Sequence, residues 1–172
     1  EKGKRKGWAY GARSLRSRFG AALEPLAKVE LGFLEKENEE GVRIESASMI
    51  RSAFPAQQEL SRSLAGTYIA ESVDTFVQPH DPSELVYRLL DRSVEALLAG
   101  RPVEPVVAYA EVWILRLGGV FPSIRNCAVC QKALVRPLRC DIRGGLVCAD
   151  CADPGVMMIP NAVADLLVTL MS

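Results

Sequence analysis

Four cysteines constrain this chain more than any other feature in it. Cys127-Ala-Val-Cys130 and Cys148-Ala-Asp-Cys151 are two C-x2-C knuckles separated by 17 residues. Each knuckle presents two thiolates on a tight turn, and a pair of knuckles places four sulfurs tetrahedrally around one ion. Zinc suits such a site because it is borderline-soft, redox-inert and content with tetrahedral sulfur. An iron–sulfur cluster also takes four cysteines, but the paired spacing favours zinc. A closed set of four thiolates offers no open position to a substrate, so the ion is expected to be structural, stapling a segment too small to fold alone. Gly144-Gly145, between the knuckles, fits the turn of a small β-ribbon. A redox role for one knuckle lacks the βαβ context it needs. Cys140 is left over from the pattern and is expected to pack as a small hydrophobe.

The rest of the 172 residues divides by periodicity. Residues 1–45 read as β-structure. Ala27 to Leu34 alternates apolar Val29, Leu31 and Phe33 with Lys28, Glu30 and Gly32, and Val42-Arg43-Ile44-Glu45 alternates again. With the charged turn 35–41, which carries Glu37 and Glu39, residues 27–45 read as a hairpin. Residues 46–119 read as a helical domain. Ser48 to Arg51 suits a short helix. A second helix starts at Pro55 and carries Leu60, Leu64, Tyr68 and Ile69 on its apolar face. Asp81-Pro82-Ser83-Glu84 predicts a start with Asp81 as N-cap, and Gly100 predicts the stop. Residues 104–117 are apolar almost all round, as a buried central helix would be. The knuckles occupy 120–159 as an insert, and a last amphipathic helix after Pro160, over 160–172, is expected to be the final helix of the helical domain.

The chain has no run of 18 apolar residues, so no transmembrane helix is expected, and nothing apolar follows Glu-Lys-Gly-Lys-Arg-Lys to make a signal peptide. Its formal charge is zero, but Lys2, Lys4, Arg5, Lys6, Arg13, Arg16 and Arg18 face only Glu1 in residues 1–18. A basic end on an acidic body points to a polyanion partner. Trp8, Tyr10 and Phe19 interleave with these cations. Cations neutralise phosphates while aromatic faces stack on unpaired bases. The competing reading puts Trp8 and Phe19 in the core of a small barrel with the cations on its rim. Arg125, Lys132, Arg136, Arg139 and Arg143 flank the knuckles, either to offset the net −2 of a zinc ion held by four thiolates or to extend a nucleic-acid surface. His80, the single histidine, sits between Pro79 and Asp81 with no catalytic companion. Glu37/Glu39 and Asp150/Asp153 read as solvated turn acids. No phosphate loop or dinucleotide fingerprint occurs, and no general base stands beside the cysteines, so no enzyme is expected.

Gly11-Ala12-Arg13 and Ser17-Arg18-Phe19-Gly20-Ala21-Ala22-Leu23-Glu24-Pro25 resemble the stretch after an early barrel strand in the RecO family of bacterial recombination mediators. The helical middle and the double C-x2-C follow in the order that family has them. The resemblance implies an α+β protein: an N-terminal OB-fold-like β-barrel, incomplete here, then an all-helical domain carrying a four-cysteine zinc-ribbon insert. It implies a cytoplasmic, nucleoid-associated bacterial protein, truncated at the N-terminus and also at the C-terminus. Such a protein binds single- and double-stranded DNA, anneals complementary strands and helps load recombinase onto strands coated by single-strand-binding protein. Its partners are RecR and the C-terminal tail of single-strand-binding protein, with no membrane and no small-molecule substrate. The expected sites are Cys127, Cys130, Cys148 and Cys151 for one structural Zn2+. Lys2, Lys4, Arg5, Lys6, Arg13, Arg16 and Arg18 are expected for DNA. The alternative is a non-catalytic scaffold whose helical domain binds a partner peptide and whose basic segment binds an acidic protein.

Overall fold

The alternation of residues 27–45 forms paired strands. In the computed structural model, which describes residues 3–14, 16–35 and 41–171, β1 (Gly7–Trp8), β2 (Lys28–Glu35) and β3 (Val42–Arg51) make one sheet in the order β1-β3-β2. β2 and β3 are antiparallel, with register shifts at Lys28/Val29 and Gly32/Phe33, whereas β1 lies parallel to β3. The charged turn with Glu37 and Glu39 lies outside the described residues, apart from its ends Glu35 and Gly41. Residues 48–51 are strand, not the expected short helix. Ser48, Met49 and Arg51 pair with Glu30, Val29 and Lys28, and that ladder outweighs a weak local preference. Among the described residues the sheet is open and three-stranded.

Residues 1–114 form one compact unit and residues 115–172 a second. In the first, the sheet is followed by α1 (Phe54–Gln57), α2 (Leu60–Phe76), α3 (Glu84–Leu98) and α4 (Val103–Leu117), the last running into the second unit. The helix expected from Pro55 onward is broken at Gln58-Glu59. The face of α2 also differs from the expected one. Leu60, Leu64 and Tyr68 are exposed; Ile69 is buried as expected, with Ala65 and Gly66 turned inward beside it. Small residues let the backbone approach closely: a Cβ on Gly66 would lie 2.9 Å from Leu26 Cδ1. Leu97, Ala56 and Ala65 form the cluster beneath, with Val103, Val106 and Val107 packed against it. α3 starts with Ser83 at its N-cap and no side-chain cap, not with Asp81. Gly100 ends the helix at φ +75°, as expected. α4 buries Ala110, Val112 and Ile114 but exposes Tyr109 and Leu115, so it is amphipathic rather than sheathed on all sides. No helix of the described residues is long and apolar enough to cross a membrane.

Ion pairs join the sheet to α3. Lys28 Nζ lies 2.7 Å from Asp91 Oδ2, and the Arg51 guanidinium spans Asp91 Oδ1 at 2.6 Å and Glu95 Oε1 at 2.9 Å. Burial would raise the Asp91 carboxyl, but hydrogen bonds from Lys28 and Arg51 outweigh it and hold the group below the usual carboxylate range. A lowered folded value stabilises the fold above the unfolded value of about 4, and that contribution disappears as pH falls through the folded value. Asp91→Asn is therefore expected to cost about 2 kcal/mol near neutrality. Urea midpoints measured across pH should show the variant and the parent converging in acid.

In the second unit β4 (Arg139–Cys140), β5 (Leu146–Val147) and β6 (Met157–Met158) form an antiparallel sheet in the order β5-β4-β6. α5 (Asn161–Met171) begins directly after Pro160, whose carbonyl accepts from the N–H groups of Val163 and Ala164. The sequence groups this helix with residues 46–119. Its Ala164 packs on Leu138 and Leu146, with Ile124, Leu134, Cys140 and Ile159 around them.

Candidate metal centre and nucleic-acid interface

The β4–β5 hairpin holds the two knuckles against each other. Asp141 Oδ1 accepts from the N–H groups of Arg143 and Gly145 and so closes the turn, while Ala128 N donates to Leu146 O at 2.8 Å. The first knuckle closes through Cys127 N to Lys132 O and Gln131 N to Cys127 O, with Gln131 left-handed at φ 60°. A short 3-10 turn, Ala149–Cys151, carries the second. The four Cys127, Cys130, Cys148 and Cys151 sulfurs lie within 4.8 Å of one another, and Cys130 and Cys148 are 3.6 Å apart. Metal–sulfur bonds of about 2.3 Å in a tetrahedron put sulfurs about 3.8 Å apart, so the spacing fits one ion. Cys127 is fully buried, and Val147, Leu134 and Val156 surround it and Cys148.

The protonation pattern supports the same use. Amide N–H groups, above all those of Cys130 and Cys148, pull the Cys127 thiol down to about 6. Hydrogen bonds with the Cys130 and Cys148 sulfurs push Cys151 up to about 12. A cation bound by cysteine sulfurs replaces their protons. Lys132 supplies positive charge here. Its hydrogen bond to Asp150 chiefly raises its pKa, and the Cys130 and Cys148 sulfurs add to the effect. Arg136 instead pairs with Asp165 at 2.5 Å, and Arg139 donates to Pro137 O. Arg125 and Arg143 are exposed. Cys140 lies half-buried in β4, packed beside Leu138 and Leu146 rather than with the four ligands.

The basic segment divides into two sets, and Lys2 lies outside the described residues. Lys4 and Arg5 are half-buried and tied inward. Lys4 Nζ reaches both Asp74 O and Asp74 Oδ1 at 2.7 Å, and its backbone bridges to Pro79. Arg5 pairs with Glu35 at 3.0 Å and hydrogen-bonds His80 Nδ1. Thus His80, left-handed at φ 68°, anchors the N-terminal segment to the α2–α3 connection. Lys6, Arg13, Arg16 and Arg18 are exposed. Lys6 lies over the Trp8 ring and Arg18 over the Phe19 ring. Successive turns, Ala12 N to Ala9 O through Gly20 N to Ser17 O, carry Arg13, Arg16 and Arg18 outward.

Phe19 is 3% exposed and belongs to the core, as expected. Trp8 does not: it is 41% exposed on the edge strand β1. Arg43 escaped the sequence reading altogether. It pairs in register with Trp8, and its guanidinium stacks over Tyr10. The signal was present in the alternation Val42-Arg43-Ile44-Glu45, which puts Arg43 on the face away from Val42 and Ile44.

Comparison with known proteins bears on both sites. The family model described as Recombination protein O C terminal matches residues 57–172. The DNA repair protein RecO of Koribacter versatilis (strain Ellin345) is 33% identical over 173 residues, 96% of this chain and 69% of that protein. The protein of the same name from Anaeromyxobacter sp. (strain K) is 34% identical over 158 residues, 91% of this chain and 62% of its own. That from Caldicellulosiruptor saccharolyticus is 31% identical over 166 residues, covering 96% and 67%. The chain thus spans 62–69% of the length of these relatives. Because the family model takes in the helices from α2 onward and the whole cysteine unit, and the relatives extend the match across the basic segment, the chain belongs to the RecO family.

Proposed function

We propose that this chain binds DNA as a non-catalytic recombination mediator. It anneals complementary single strands and assists recombinase loading on DNA coated by single-strand-binding protein, with RecR as partner. The observation that carries the reading is the run of exposed cations Lys6, Arg13, Arg16 and Arg18, none of which pairs with a carboxylate among the described residues. Annealing needs no reacting group. Cations neutralise two polyanions and release their counterions, and base pairing then supplies the specificity. Lys4 and Arg5 serve this function by position, anchoring the strand that carries Lys6. The sheet of residues 7–51 is read as part of an OB-fold-like barrel. Cys127, Cys130, Cys148 and Cys151 would hold one Zn2+, which stabilises a zinc ribbon and supplies no chemistry to the DNA.

Fluorescence anisotropy with a labelled single strand, titrated across salt, tests the reading. Four phosphate contacts predict a log–log slope of about −3 at the roughly −0.7 per contact typical of single strands. A flat response, or no binding at low salt, would remove the basic segment from DNA binding. One observation favours the scaffold reading in addition. A cavity of about 320 Å³ lies between Leu26, α1, α2 and α3, lined by Ala56, Arg62, Gly66, Val94 and Leu97. An apolar pocket beside an arginine suits the acidic, hydrophobic tail of single-strand-binding protein. Crosslinks from a tail peptide confined to residues 1–20 would exclude that site.

A further inference from the structure

We infer that Lys6, Trp8, Tyr10 and Arg43 form a stacking platform for the unpaired bases of a single nucleic-acid strand, distinct from the phosphate contacts of Arg13, Arg16 and Arg18; the inference rests on the DNA-binding reading above. Four observations converge on one strip of the surface. Lys6 and Trp8 flank Gly7 at β1, and Tyr10 stands in the turn that follows the strand. Trp8 is 41% and Tyr10 68% exposed. Lys6 Nζ lies 5.6 Å from the centre of the Trp8 ring, and Arg43 Cζ lies 5.6 Å from that of Tyr10. Arg43 is the register partner of Trp8, so the residue that stacks over Tyr10 stands beside Trp8 on the neighbouring strand.

The strip is held in place rather than merely left exposed. Arg43 Nε forms an ion pair with Glu45 Oε1 at 2.8 Å. Gly41 carries φ +109°, and a Cβ there would meet Trp8 Cζ3 at 2.4 Å and Lys6 O at 2.6 Å. The indole therefore lies across a position that only glycine leaves open. A preorganised exposed ring loses little freedom when a base stacks on it. The charge at this strip selects the occupant: a cation beside each ring matches a strand that alternates base and phosphate. Bases in a duplex are already stacked and paired, so a duplex can use the cations but not the rings. The platform therefore confers preference for single strands.

The experiment compares this chain with Tyr10→Ala and Trp8→Ala, each titrated with labelled oligothymidylate and with a duplex of the same length. Each variant should lose about 10- to 100-fold on the single strand, as deleting one base-stacking ring does, with duplex affinity within about threefold. Trp8→Phe should recover most of the loss, because a ring remains. Gly41→Ala should reproduce the Trp8→Ala defect without touching an exposed group. Equal losses on both DNAs, or none on either, would overturn the platform while leaving phosphate binding intact. A Trp8→Ala chain that unfolds in a thermal melt, with Tyr10→Ala binding like the parent, would also overturn it and assign the rings to a buried strand contact. Absence of DNA binding by the parent at any salt would overturn the underlying reading as well.

Discussion

Cys127→Ser is expected to abolish binding of the metal ion proposed for the four cysteines and to open residues 115–171 to protease, while α2 and α3 stay protected. The cysteine unit has little else to hold it. Beyond the ligands themselves, its buried apolar side chains are few: Val147 beside Cys127, and Leu138, Leu146 and Ala164 in a second cluster. Its strands are two residues long. A unit of that size does not close on hydrophobic burial alone, and in comparable sites the binding energy of the ion is the folding energy, on the order of 10 kcal/mol. Cys127 is the ligand to test because its sulfur accepts from Cys148 N and its surroundings are fully buried. Serine there neither releases its proton readily nor matches a thiolate as a ligand. Metal content by mass spectrometry should fall from one ion per chain to none, and a chelator should produce the same digestion pattern in the parent. Acid should do so too. The sulfurs bind metal as thiolates, so falling pH returns protons to them and releases the ion. A metal-free chain that keeps residues 115–171 protected would show that the cysteines are not the staple.

The clustering of the four cysteines was legible because it is written in residue type and short spacing, both of which survive without knowledge of the fold. The helix stop at Gly100 and the start after Pro160 were legible for the same reason: each depends on the local backbone. What escaped depends on distant partners. Leu60, Leu64 and Tyr68 satisfy helical spacing with Ile69, yet only Ile69 is buried, and α2 turns Ala65 and Gly66 inward beside it because close approach of Leu26 is possible only over a glycine. Lys4 and Arg5 look equivalent to Arg13 in the sequence. They differ because Asp74, Glu35 and His80, 30 to 75 residues away, lie next to them in the fold. The same distance hid Arg43, whose role exists only once β1 lies beside β3. Periodicity placed Trp8 in a core as reasonably as on a surface. Only the parallel edge position of β1 decides it.

Replacing Arg13, Arg16 and Arg18 together by Glu should weaken single-strand binding on the order of 1,000-fold at low salt. The change removes three cations and adds three anions within six residues, all on turns that project from the sheet. The salt slope should shrink by about 2, the share of three phosphate contacts on a single strand. Stability should barely move, because exposed substitutions stay within about 0.5 kcal/mol, although Arg18 gives up its stacking on Phe19. That contrast separates the segment from Lys4. Lys4→Gln breaks the ion pair to Asp74 and loosens the anchor near Pro79, so it should alter the melting curve as well as binding. A triple variant that kept its affinity and its full slope would move the phosphate contacts to other cations. Arg125 and Arg143, exposed on the cysteine unit, would then be the next to reverse. Because the triple substitution leaves Lys6, Trp8, Tyr10 and Arg43 in place, residual binding in it should keep its preference for single strands, now carried by the rings and the cations beside them.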